Sequence, residues 1–119
     1  MNRTLIVARM ERHAAPDVAR VFAESDATEL PHLLGVSRRT LFSFHDLYFH
    51  LVEADHDIRP NLNHARNHPR FQEVNTQLQE FIKPYDPGWQ EPKDAMAQQF
   101  YVWTTEQRRR GEGSSRANY

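Results

Sequence analysis

Cysteine is missing altogether from this 119-residue sequence, which excludes disulfides, thiolate nucleophiles and zinc–thiolate centres together. A surplus of either charge is missing too. Fifteen lysines and arginines face sixteen aspartates and glutamates, so no global field draws the chain to nucleic acid or to an anionic membrane. No apolar run approaches the roughly 20 residues that a membrane-spanning helix needs. The first residues carry one arginine but neither an apolar export core nor a small-residue cleavage site. The expectation is a cytoplasmic protein with no nucleic-acid and no membrane partner.

What is there suits one compact domain: 39% hydrophobic and 11% aromatic residues in a chain too short for two full cores. An apolar run around Leu5-Ile6-Val7-Ala8, from about Arg3 to Met10, predicts a buried strand. Pro16 and Asp17 suit the first turn of a helix whose Val18, Val21 and Phe22 recur at helical spacing, ending near Asp26–Thr28 before Pro31. After Gly35, residues 36–45 and 47–54 read as two strands joined by a tight reversal at His45-Asp46, hence an antiparallel hairpin. A short helical piece follows over 62–66. Beyond Pro69 a longer helix places Phe71, Val74, Leu78, Phe81 and Ile82 on one side and stops at Pro84. Residues 96–103 alternate as a last strand.

The order is β-α-β-β-α-β, an α+β chain of ferredoxin-like arrangement whose first and third strands lie centrally. Phe42, Phe44, Phe100 and Val102 leave part of the sheet surface apolar, and a homodimer is the simplest cover. The domain is expected over residues 1–106. The stretch 107–119, with Arg108-Arg109-Arg110 and then Gly and Ser, lacks periodicity and is expected to be a disordered tail.

Four stretches carry a resemblance: Ala23-Glu24-Ser25-Asp26-Ala27-Thr28-Glu29-Leu30-Pro31, Gly35-Val36-Ser37-Arg38-Arg39, Phe44-His45-Asp46-Leu47-Tyr48 and His50-Leu51-Val52-Glu53-Ala54-Asp55. In that order and spacing, with Ala65-Arg66-Asn67-His68-Pro69 and Phe100-Tyr101-Val102-Trp103 behind them, the chain resembles the tetracenomycin-type single-domain polyketide cyclases. The resemblance runs from about Arg3 to Trp103. It implies a dimeric α+β barrel and cofactor-free ring closure of an aromatic polyketide intermediate, with transient contact to a polyketide synthase or acyl carrier protein. It also implies that Arg39, His50 and Asp26 are catalytic and that Ser25, Arg66 and His68 bind substrate. Ser25 stands where the family's type member carries histidine, so a mechanism needing that imidazole does not carry over.

The chemistry suits these residues. Aldol closure needs a proton removed between two carbonyls, a stabilised enolate and protonation of the new alkoxide. Histidine moves protons near neutrality, and arginine presents a permanently charged planar fork to oxyanions. Taking the turn at His45-Asp46, the hairpin pairs 44 with 47, 41 with 50 and 39 with 52. Arg39 and His50 then become diagonal neighbours on one face, about 7–8 Å apart at the backbone. Read alone, His50 also fits a structural histidine, Arg39 a solvated strand arginine and Asp26 a helix-end residue. His64 and His68 have i, i+4 spacing but no third ligand, so no metal is expected. A cofactor-independent monooxygenase and a non-catalytic polyketide-binding protein are the competing functions.

Overall fold

Strand β1, Asn2–Met10, is flanked on one side by β3, Leu47–Ala54, and β3 by β2, Val36–Phe44. The computed structural model describes residues 1–105. The two-residue strand β4, Ile82–Lys83, pairs with the other edge of β1, giving the antiparallel order β2-β3-β1-β4. This is the ferredoxin-like order expected, with the first and third strands central. The expected tail over 107–119 lies outside the described residues.

The hairpin register is the one read from the sequence. Phe44 opposes Leu47, Leu41 opposes His50 and Arg39 opposes Val52, with a bulge only beyond, between Val36 and Arg38. The turn holds His45 at φ 55°, a left-handed conformation that histidine adopts more readily than branched residues. Asp46 ties it to β1, its carbonyl accepting from the Met10 amide and its carboxylate from Arg9. Along β3 burial alternates, so Tyr48, His50, Val52 and Ala54 all face the helices.

Helix α1, Ala15–Asp26, starts with Pro16 and Asp17 in its first turn and buries Val18, Val21, Phe22 and Ser25. Thr28 ends it, both its amide and its hydroxyl donating to the Ser25 carbonyl. Pro31 does more than terminate. It sits in the first turn of a further helix, α2, Leu30–Leu34, which Gly35 closes at φ 79°. Helix α3, Arg59–Ala65, begins three residues earlier than expected, because Pro60 opens it and Asp57 accepts from the Arg59 amide.

Two expectations fail at the C-terminal side. Helix α4, Pro69–Leu78, stops short of Phe81 and Ile82. Pro84 disfavours helical geometry at Lys83, and the open edge of β1 at Arg9–Met10 takes Ile82–Lys83 as β4 instead. The last strand predicted over 96–103 does not form within this chain. Met96 makes a single bridge to Ile6 and the Ala97 amide bonds the Leu5 carbonyl, after which pairing ceases. Phe100 is 95% exposed, and Tyr101, Val102 and Trp103 are exposed beside it.

The core divides in two. Ala8, Met10, Ala14, Val18, Phe22 and Tyr48 form one buried cluster; Val52, Ala54 and Ile58 form another. His50 lies between them on β3, and there the space between sheet and helices is a cavity.

Candidate active site

The cavity has a volume of about 870 Å³, in the upper part of the roughly 300–1,000 Å³ range of small-molecule sites. Its walls are mostly apolar, with Ile6, Phe22, Leu30, Leu34, Val52, Ile58 and Leu62 among them. On the sheet side Arg39 comes from β2 and Tyr48 and His50 from β3, with Ser25 from the end of α1 beside them, while Gln72, Asn75 and Gln79 bring uncharged polar side chains from α4 and just beyond it. The antiparallel register puts the Arg39 and His50 side chains on the one face, as the hairpin parity requires.

Arg39 is the hub. Its Nε donates to both carboxylate oxygens of Asp26, at 3.2 and 3.1 Å, and its Nη2 to Oδ1 at 2.8 Å. Its Nη1 lies 2.9 Å from Nε2 of His50. Its carbon centre stacks 4.7 Å above the Phe22 ring. A guanidinium has five N–H donors, and these bonds engage three of them, so one on each terminal nitrogen is left for an occupant of the cavity.

Because the guanidinium can only donate, Nε2 of His50 accepts, and the single ring proton of the neutral imidazole sits on Nδ1. His50 is only 7% exposed and packs edge-on to Phe22 at 5.1 Å. Burial away from water, reinforced by the positive charge of Arg39, pushes its pKa down to about 3. The imidazole is therefore neutral at physiological pH. Nδ1 bonds no described residue, yet no fully buried side-chain nitrogen or oxygen among them lacks a partner, so the Nδ1–H edge opens on the cavity. The group offered to a ligand is a donor.

The remaining sequence-predicted residues separate. Asp26 is brought to Arg39 but does not line the cavity; it orients the guanidinium from outside. Ser25 is buried and lines the cavity, its hydroxyl bonded to no described residue. Arg66 follows α3, is exposed at the cavity rim and has no ion-pair partner among the described residues. His68 stands apart from the lining. Its Nδ1 caps α4 by accepting from the Arg70 amide, and its Nε2 lies 3.9 Å from Glu29. His64 belongs to α3 and His68 caps α4, so the two never share one helix, and no group of three potential metal ligands occurs among the described residues.

Tyr48 was missed in the sequence. It lies on the His50 face of β3, with the two rings 6.2 Å apart. The same alternation that located His50 would have found it, since a core position there asks for phenylalanine.

Comparison with known proteins places the chain as a whole. The tetracenomycin F2 cyclase of Streptomyces glaucescens is 54% identical over 102 residues, spanning 86% of this chain and 94% of that one. The polyketide synthase CurG of Streptomyces cyaneus is 45% identical over 104 residues, covering 87% and 97%. The solved structure of tetracenomycin F2 cyclase, a type-II polyketide cyclase, superposes with a TM-score of 0.84 at 52% identity, over 88% of this chain and 99% of that one. The family model described as polyketide synthesis cyclase matches residues 2–104, and the chain belongs to that family.

Proposed function

We propose that the protein closes a ring of an aromatic polyketide intermediate by intramolecular aldol addition and then dehydration. The observation that carries this is Arg39, fixed by Asp26 and His50 at one side of a largely apolar cavity of suitable size that holds no carboxylate. A carbon between two carbonyls loses its proton. The resulting enolate attacks a ketone carbon, the new alkoxide takes up a proton, and loss of that hydroxyl with a neighbouring C–H proton releases water and makes the ring aromatic. No electrons are gained or lost, so the sequence of steps calls for no redox cofactor. Arg39 stabilises the enolate oxygen through its free N–H groups. His50 donates through Nδ1–H rather than removing the proton, and Asp26 positions Arg39. Ser25 and Arg66 contact the substrate at the wall and at the rim, whereas His68 acts through helix α4.

The exposed apolar residues Phe42, Phe44, Phe100 and Trp103 favour a homodimer. The setting we infer is the cytoplasm, where a polyketide synthase or its acyl carrier protein would deliver the intermediate.

The decisive test is product analysis with a partly cyclised polyketide, run without oxygen. Ring closure faster than in buffer, and lost in Arg39→Ala, is the expected result. A requirement for oxygen would make the protein a monooxygenase. Unchanged products and binding in both Arg39→Ala and His50→Ala would leave only a passive binding role.

A further inference from the structure

A hydroxyl sealed off from both water and protein partners costs about 1–3 kcal/mol, so a tyrosine at a core position needs a partner or an opening for its oxygen, where phenylalanine needs neither. Tyr48 stands at such a position. The residue is 4% exposed and its ring packs in the cluster of Ala8, Met10, Ala14, Val18 and Phe22, where only apolar surface is needed. Its hydroxyl bonds no described residue. Since no fully buried side-chain oxygen among them lacks a partner, that oxygen keeps a surface on the cavity that Tyr48 lines. Whatever fills the cavity meets it.

The neighbouring groups define what would match. Arg39 keeps two free N–H groups, His50 presents Nδ1–H, and the phenol adds O–H. All are donors. Asp26, the carboxylate bonded to Arg39, stays out of the lining, and no other acidic residue is part of it. A cluster of three donor groups with no carboxylate in the lining is complementary to oxygen carrying negative charge, as in a β-dicarbonyl enolate or the phenolate that follows aromatisation. A phenol serves there only while it holds its proton. Burial, partly offset by the Arg39 charge, raises the Tyr48 pKa well above the ordinary value of 10 and keeps it a donor throughout the neutral range.

We infer that Tyr48 is a catalytic residue, its hydroxyl donating to the substrate oxygen that becomes the enolate, beside Arg39 and His50. This deepens the cyclase assignment and rests on it. Tyr48→Phe keeps the ring and the packing, so its melting temperature is expected to equal or exceed that of the parent. Its kcat is expected to fall about 100-fold, the usual loss for one oxyanion donor, with KM nearly unchanged.

A second readout needs no turnover. The phenol 1,8-dihydroxyanthraquinone changes colour on ionising, and bound beside three donors it is expected to ionise at lower pH than in water. In Tyr48→Phe that bound pKa should rise by about one unit relative to the parent, since one unit corresponds to about 1.4 kcal/mol, the scale of one hydrogen bond to a charged group. Parent and variant with the same kcat and the same bound-probe titration would overturn the role of Tyr48. A parent protein unable to turn over any polyketide would overturn the cyclase assignment instead, and the probe titration would still decide whether Tyr48 donates.

Discussion

Replacing His50 with glutamine separates the neutral, buried imidazole from every other acid-sensitive feature of the fold. The folded protein holds His50 neutral down to about pH 3, through burial and then the adjacent Arg39 charge, whereas the unfolded chain protonates it near 6.5. The unfolded state therefore binds the extra proton between those values. Stability attributable to this group is full above about pH 6.5 and declines as the pH falls towards 3. Between pH 7 and pH 5 the difference integrates to about 2 kcal/mol, against about 1.4 kcal/mol per pH unit at full slope. For a domain of this size that lowers the melting temperature on the order of 10 °C. The window avoids the carboxylates: Asp57 and Asp94, held low by hydrogen bonds, lose their contributions only below their ordinary range near 3.8. The glutamine side chain keeps an acceptor oxygen for the Arg39 N–H but has no proton to take up. His50→Gln should thus show a much flatter pH dependence in thermal and denaturant melts at fixed protein concentration, whatever its absolute stability. Parallel curves for the two proteins would refute the neutral burial of His50, and with it the assignment of Nδ1–H as the donor.

Two further outcomes follow from other parts of the molecule. Gly35→Ala places a β-carbon at φ 79° and 3.2 Å from Nδ2 of Asn61, whose amide group holds the Leu34 carbonyl. The left-handed conformation alone should lower stability by about 1–2 kcal/mol in denaturant melts, and an unaltered midpoint would contradict the geometry at the α2–β2 junction. Phe44→Asp combined with Trp103→Asp puts charge on the exposed apolar surface. Sedimentation equilibrium is expected to show a dimer for the parent and a monomer for the variant; a parent that sediments as a monomer contradicts the proposed assembly.

The sequence displays the sheet well where local rules decide. The His45-Asp46 reversal sets the hairpin register and the register sets the face, so spacing puts Arg39 and His50, which the resemblance singles out, on one side of the sheet. Helix α1 was legible for the same reason, with Pro16 and Asp17 at its start and a 3.6-residue apolar period behind them. The C-terminal third was not. Ile82 continues the helical spacing of Val74 and Leu78, and only the vacant edge of β1 at Arg9–Met10 draws it into a strand. The alternation of residues 96–103 is real, but alternation alone does not choose a partner, and pairing with β1 ceases after the Ile6–Met96 bridge and the Ala97–Leu5 bond although the edge continues to Asn2. At the site, the family resemblance singles out the charged residues and chemistry only makes them plausible, whereas Tyr48 reads as ordinary core until its hydroxyl is followed into the cavity.

The arrangement at Arg39 bears on how the reaction would be driven. A site relying on a strong general base would expose a free carboxylate or an unpaired imidazole nitrogen to the substrate. Here the carboxylate of Asp26 is engaged from outside the cavity, and the basic nitrogen of His50 is covered by Arg39. On the proposed mechanism, the groups left facing inward stabilise negative oxygen once it forms. A β-dicarbonyl carbon is already acidic, so lowering the energy of its enolate suffices, and the proton can leave to solvent or to a neighbouring substrate oxygen. Regiochemistry then depends on which carbonyl oxygen reaches the donors while the apolar walls hold the rest of the chain folded. Ser25 enters at that wall, and where the family resemblance implies histidine the smaller serine side chain would leave more room beside the donors. On this account serine at position 25 would bear on which oxygen is presented, while the donors on the β2–β3 hairpin would act as proposed whatever stands there.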